Sequence, residues 1–533
     1  MQSMNYLALA PLMIIAIGAL LGVLAEAFVP RIQRFNVQIS LTAVVIVAAL
    51  GFTGRNWFDP NARHLAGLTA LSLDAATTVC WAGLLIFALG AVVLASQRFG
   101  PDRKAEIHGA SSFTPMAVAV PGSPEERDAE SRGAEHTEVF PIMLFALFGM
   151  LLFPAATDLV TAFVGLEVMS LPLYLLCGLA RRRRMLSHEA ALKYFLLGAF
   201  SSAIFVYGAA LTYGFAGGLD YASINDALGQ TLSYEPLMLT GFGLLMVGML
   251  FKVGAVPFHT WVPDVYTGAP TPVTAYMSVG VKLASFGALA RLLYVAFGGL
   301  AWTWAVPLGI VAAVTMAWGS IVGLSQTNIK RLLSYSSIAH AGFILVPLAA
   351  AVGAVGVGEL SSMTAVVYYL GAYGMATLGA FSVVMLVRDG AGEMPELTAW
   401  AGLGRRSPWL AGAMTLFLCS MAGIPVTAGF IGKLDAFVVA WRGGLWWLVL
   451  LGLVFSLVAM VFYMRVIVVM WFGQPAAVEE SDDGTIQATP AGAARPSIAL
   501  AVVIGLCAAG TVLAGVLPDL FAHVASLTGQ LLR

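Results

Sequence analysis

The chain predicts an all-α polytopic membrane protein. Of its 533 residues, 59% are hydrophobic and 10% charged, with mean hydropathy +0.88, whereas soluble domains carry about a quarter charged residues. Apolar runs recur at the roughly 20-residue length that crosses a ~30 Å hydrocarbon core, without the strict alternation of barrel strands. Lys and Arg gather in alternate loops, as insertion through a membrane requires.

These runs place about 14 spans. The first, at about 5 to 28, lacks a basic leader and a small-residue cleavage site and exceeds the length of a signal core, so it is expected to persist as a helix. Spans near 37 to 53 and 71 to 97 complete an N-terminal block, residues 1–98. Residues 99–138 are rich in Pro, Gly, Ser, Ala and charge, with no apolar stripe, and read as a disordered cytoplasmic insert. A first set, 139–298, holds spans near 139 to 154, 158 to 180, 188 to 215, 236 to 262 and 270 to 298. A second, 299–473, holds spans near 302 to 325, 329 to 351, 361 to 388, 408 to 438 and 444 to 472. Residues 474–533 comprise an acidic loop without metal-loop spacing and a last span near 497 to 522.

Orientation follows from the loops. The odd-numbered ones carry roughly 17 Lys and Arg, among them Arg181 to Arg184, Lys330, Arg331, Arg388, Arg405 and Arg406, against Arg55, Arg63, Arg442 and Arg533 on the other side. Both termini are therefore expected outside, with the basic loops in the cytoplasm. The run "RRRR" at 181–184 reads first as a topology anchor, and second as a contact for anionic headgroups. A net charge of −1 gives no case for nucleic acid. Cys80, Cys177, Cys419 and Cys507 are dispersed without CxxC spacing, so no metal, haem or disulfide framework is inferred.

The informative charges lie inside the spans: Glu167, Lys193, Lys252, Lys282, Arg291, Lys433, Asp435 and Arg465, with His259 and His340. Each central charge costs about 2.5 to 3.5 kcal/mol on insertion scales, so several together point to a polar interior path for ions or protons. Lys282 follows Pro272 by ~15 Å along the helix axis, too deep to snorkel. Glu167 is also central and calls for a lysine partner, with Lys252 the natural one. Lys193 sits within a turn or two of the basic side, as a snorkelling residue or an uptake relay. Arg291 and Arg465 read as anchors or salt-bridge partners. His340 is either a relay or a hydrogen-bonded packing residue.

Helix breaks are the second clue. Pro257 and Pro263 straddle "FHTWV", and Gly423 and Pro425 precede Lys433, so each break stands within about two turns of a buried lysine. His259 lies inside the first break. The broken span is fourth in each five-span set, and an odd-numbered unit repeated in tandem must invert. The bland alternative is a static ion pair holding two helices together.

The segments "FKVGAVPFHTWVPDVYTGAPTPVTAYMSVGVKLASF", "EAALKYFLLGAFSSAIFVYG", "NIKRLLSYSSIAHAGF" and "GIPVTAGFIGKLDAF" resemble the antiporter-like membrane subunits of bacterial NADH-quinone oxidoreductase, respiratory complex I. The likeness covers nearly the whole chain, and "PDVYTGAPTPVTA" is similar to the subunit N branch rather than to L and M. It implies fourteen helices, two inverted five-helix repeats and broken seventh and twelfth helices. It implies proton translocation driven by quinone reduction elsewhere in the complex, with Glu167 and Lys252 as a pair, Lys282 as the central relay and Lys433 leading outward. NADH, FMN, iron-sulfur clusters and quinone would belong to other subunits, and the partners would be subunit M and the small subunits J and K in the bacterial cell membrane. Two departures stand out: the insert, and Asp435, where an apolar or aromatic residue is expected. Lys193, His259, His340 and Asp435 remain candidates for relay or tuning. The rival functions are a subunit of a multisubunit cation/proton antiporter or membrane-bound hydrogenase, and a structural subunit with vestigial charges.

Overall fold

The computed structural model describes residues 5–59, 70–99, 110–113, 123–125, 136–230, 236–350, 360–389, 392–474 and 492–526. Among them, 12 helices are long and apolar enough to cross a membrane, and Val139–Ala155 and Pro408–Ala422 are shorter apolar helices. The N-terminal block is α1 (Ala10–Phe28), α2 (Arg31–Phe58) and α3 (Ala75–Ala95). A first group follows: α4 (Val139–Ala155), α5 (Leu159–Cys177), α6 (Arg184–Ala216), α7 (Tyr221–Gln230), α8 (Pro236–Val253), α9 (Trp261–Gly268) and α10 (Thr271–Arg291). The second comprises α11 (Ala301–Leu324), α12 (Ile329–Ala349), α13 (Ser362–Leu386), α14 (Pro408–Ala422), α15 (Ala428–Arg442) and α16 (Trp446–Phe472). The chain closes with α17 (Ile498–Val516) and α18 (Pro518–Ser526).

The apolar run near 236 to 262 is not one helix: α8 stops at Val253 and α9 starts at Trp261. Likewise α14 stops at Ala422, and Gly423 adopts φ +84° before α15 begins at Ala428. Such breaks survive in a membrane because their freed backbone groups find partners in protein. At the first, Val256 N–H donates to Thr315 Oγ1 at 3.0 Å and Trp261 Nε1 donates to the Phe251 carbonyl at 3.0 Å. The short helix α7 escapes hydropathy reading because its ten residues, "YASINDALGQ", are too few and too polar to resemble a span.

Burial is uneven, and that decides where polar groups face. The apolar windows of α10, α12 and α13 are 94%, 100% and 89% buried, against 28% for α2, α16 and α17. The lysines and histidine on the first three helices therefore face protein, while the outer helices present Leu, Val and Trp outward. Close helix crossings support this core. A Cβ at Gly149 on α4 would lie 2.1 Å from the backbone nitrogen of Met169 on α5, and one at Gly319 on α11 would lie 2.4 Å from that of Ala339 on α12.

The expected disordered insert falls mostly outside the described residues. Its described portion includes Ala110–Ser111, which pairs antiparallel with Arg98–Phe99, and Phe113, which is buried and bridges to Ala180. The N-terminal block is stapled to the first group by Arg291. Its Nη2 donates to Asp74 at 2.8 Å and to Thr77 Oγ1 at 2.7 Å, and its Nε donates to the Pro154 carbonyl at 2.9 Å. This residue is thus an interior salt-bridge partner rather than a surface anchor.

Candidate functional site: a buried lysine axis

Lys252, Lys282 and Lys433 are each 5% exposed or less. Lys252, the penultimate residue of α8, donates to Ser170 Oγ at 2.7 Å and Tyr174 OH at 3.4 Å, both on α5. Glu167, one turn before Ser170, accepts from Ser202 on α6. Its carboxylate lies near enough to Lys252 to act on it electrostatically, yet no ion pair within 4 Å joins them among the described residues.

Lys282, midway along α10, donates to the Ser337 carbonyl at 2.7 Å and to the Val253 carbonyl at 3.3 Å. Val253 is the last residue of α8, so the helix break supplies the acceptor. Lys433 does the same at the second break, donating to the carbonyl of Ala422, the last residue of α14, at 2.9 Å, and to Ser456 Oγ at 2.9 Å. The final carbonyls of a helix lack intrahelical partners and carry the negative end of its dipole, so a cation is well placed there. Each break is therefore a seat for a lysine.

Between Lys282 and Lys433 lies His340 on α12. Its Nδ1 is 2.9 Å from Tyr369 OH and its Nε2 is 3.2 Å from Tyr463 OH, which also bonds Ser336. Tyr373 OH donates to Ser337 Oγ at 2.9 Å, with its ring 5.2 Å from that of His340. The apolar ring of Phe343 stands between this cluster and Lys433, whose Nζ is 4.8 Å from the ring centroid.

The other candidates lie off this line. Lys193 Nζ is 2.7 Å from Asp264 on α9 and 2.6 Å from Glu189, and Asp264 also binds Arg331 on α12 at 3.0 Å. His259 is buried in the first break against Trp318, and its Nδ1 has no hydrogen-bond partner among the described residues. Pro257 and Pro263 flank it, Pro263 inside α9. Asp435 is half-buried on α15 beside Tyr368, with no hydrogen bond or ion pair to a described residue. Arg465 donates to the Leu324 carbonyl at the end of α11 at 3.0 Å. Sequence reading missed the hydroxyls, Ser170, Tyr174, Ser202, Tyr369, Tyr373, Ser456 and Tyr463, and the bridging acid Asp264. The spacing of Ser170 from Glu167, three residues on one helix face, is the one signal that was available.

The family model for "NADH:quinone oxidoreductase/Mrp antiporter, TM" matches residues 156–459, which include every buried lysine described above. A subunit N of NADH-quinone oxidoreductase from a Nocardioides species is 48% identical, over 98% of this chain and 97% of that protein. The chain belongs to the NADH-quinone oxidoreductase subunit N family. A subunit N from Mycobacterium tuberculosis is 45% identical over 99% of this chain and 98% of its own length. Among solved structures, a chain of respiratory complex I from Thermus thermophilus with bound aureothin is 30% identical, with TM-score 0.74, covering 97% of this chain and 99% of that one. A chain of the Mrp complex from a Dietzia species matches with TM-score 0.78 at 20% identity, covering 99% of this chain and 97% of the other, a likeness of fold.

Proposed function

We propose that the chain carries protons through the membrane arm of a NADH-quinone oxidoreductase along Lys252, Lys282 and Lys433, with Glu167 setting the charge of the first lysine. The chain is a proton-translocating membrane-arm subunit of that complex, as its subunit N relatives at 45–48% identity support. The observation carrying the route is the pair of helix breaks, each of which offers a terminal carbonyl to a buried lysine. Lys252 is held by the neutral hydroxyl oxygens of Ser170 and Tyr174, with Glu167 acting on it without a direct ion pair among the described residues. A static ion pair would instead bind the lysine to a carboxylate.

In this reading protons enter on the arginine-rich side, taken as cytoplasmic, past Lys193, and leave past Lys433. His340 links the two halves of the path, and His259 and Asp435 tune it. The fourteen helices form two inverted five-helix repeats, residues 139–298 and 299–473, with the seventh and twelfth helices discontinuous. The matching glycine contacts of Gly149 and Gly319, each on the first helix of its group, favour that arrangement. Both termini lie outside, subunits M, J and K are the neighbours, and NADH, FMN, iron-sulfur clusters and quinone are held by other subunits.

The test is proton pumping by complexes carrying Lys252→Ala or Lys282→Ala, reconstituted in liposomes. Loss of pumping or of coupled turnover is expected in each. An unchanged proton-to-electron ratio with full activity in both would sink the proposal.

A further inference from the structure

Lys433 is held by more than its two hydrogen bonds. Its ammonium has three N–H donors, of which the Ala422 carbonyl and Ser456 Oγ, each at 2.9 Å, occupy two. Nζ also stands over the ring of Phe343, 4.8 Å from the centroid. The other two lysines of the axis are not seated in this way. Lys282 is 5.7 Å from the Tyr373 centroid, and Lys252 is 5.7 to 6.0 Å from those of Tyr174, Tyr194 and Phe251, close to the ~6 Å limit of cation–π attraction. The seat at Lys433 is built by the fold. Phe343 is 1% exposed and Lys433 5%, and a desolvated cation–π contact is the stronger kind. A Cβ at Gly423 would lie 2.9 Å from Lys433 Cδ and 3.3 Å from Nζ, so the glycine that caps α14 also makes room for the lysine stem. Phe437 of α15 meets Phe343 edge-on, with centroids 6.2 Å apart, and fixes the ring in turn.

Phe343 also stands against the histidine cluster. His340, three residues earlier on the same face of α12, has its ring centroid 6.2 Å away. The phenyl ring therefore borders both His340 and Lys433, and being apolar it carries no proton from one to the other. We infer that Phe343 is a positioning residue for the exit step: its π face holds the Lys433 ammonium on the Ala422 carbonyl and the Ser456 hydroxyl, away from His340. This rests on Lys433 being the outward lysine of the proposed route. A neutral amine lacks the charge that the ring attracts, so the seat grips the lysine only while it carries a proton.

The experiment uses the assembled complex in liposomes, with mono-, di- or trifluorinated phenylalanine in place of Phe343 and assembly monitored in parallel. Fluorine changes the ring's volume little and withdraws electron density from its face in steps, so a cation–π contact weakens while packing is kept. Proton pumping should slow with each added fluorine, by about fivefold to thirtyfold at the trifluorinated ring, the factor carried by a desolvated contact of this kind. Phe343→Leu, which is apolar and has no π face, should be slowed as much. The same fluorination at Phe437, which packs on Phe343 and makes no cation–π contact with Lys433, should leave the rate near wild type. A packing role alone would move both series alike, and that result would overturn the assignment. A flat response at Phe343 while Lys433→Gln abolishes pumping would overturn it too and leave the route standing. Full pumping by Lys433→Gln would bring down the route itself, and this role of Phe343 with it.

Discussion

At the scale of single residues, the site is an arrangement of lysines and the neutral groups that receive them. The charges were legible because lipid makes them rare, so Lys252, Lys282 and Lys433 stand out in the sequence. Their hydroxyl partners were not, because a serine in a membrane helix can satisfy itself on a preceding carbonyl, as Ser170 also does with Leu166 at 2.5 Å. Nothing in the linear order separates Ser170 from serines that only do that. Ser170→Ala is expected to slow proton transfer about fivefold, the worth of one hydrogen bond of ~1 kcal/mol, while Ser170→Thr, which keeps the hydroxyl, stays near wild type. The check is the rate of proton uptake into liposomes with assembly monitored in parallel. Arg291 gives a contrasting case in which charge is structural. Removing it strands the buried Asp74, so Arg291→Gln should destabilise the chain by about 3–5 kcal/mol, seen as a lowered unfolding midpoint, whereas the double change with Asp74→Asn should recover part of that loss.

At the scale of elements, prolines and glycines marked where helices break, but not what the break is for. That purpose needs three dimensions, since the carbonyl freed at Val253 serves Lys282 on a different helix. The same break depends on Thr315, which lies on α11 and answers the N–H of Val256. Thr315→Val keeps the shape and deletes the acceptor, so it should cost about 1–3 kcal/mol for the stranded N–H, measurable as faster hydrogen exchange in residues 254–260. The unforeseen helix α7 supplies a pH test outside the membrane. The Ser223 hydroxyl and N–H, in that order of effect, hold the Asp220 carboxyl below its ordinary value. A depressed folded pKa means that the cap stabilises α7 above the unfolded carboxylate value, near pH ~3.9, and loses that contribution as pH falls through the folded value. Amide protection in α7, taken relative to the intrinsic exchange rate at each pH, should therefore fall below about pH 4, and Asp220→Asn should remove the step.

At the scale of the whole molecule, composition and loop charge were enough to give a polytopic bundle and to gather the basic loops at one end, where they line a common cavity. They could not give the distance between helices, which depends on which small residue faces which backbone. In α4 and α5, Gly149 admits the backbone of Met169, and Phe153 in turn meets Gly165, where a Cβ would lie 2.9 Å from its backbone. In α11 and α12, Gly319 admits Ala339, and Gly342 admits Met316 at 2.6 Å. Both pairs thus open their groups with helices crossing on glycine, and no flexible side chain can yield there because the obstructing atoms are backbone. Gly149→Ala and Gly319→Ala should each destabilise the chain by about 1–3 kcal/mol through overpacking. The two crossings belong to different groups with no shared partner, so the double variant should show the sum of the single losses to within about 0.5 kcal/mol. Unfolding of the purified chain in mixed micelles measures this. A double variant no worse than either single one would mean that the two groups yield as one unit at a common weak point. Additive losses would mean that each group carries its own crossing, independent of the other.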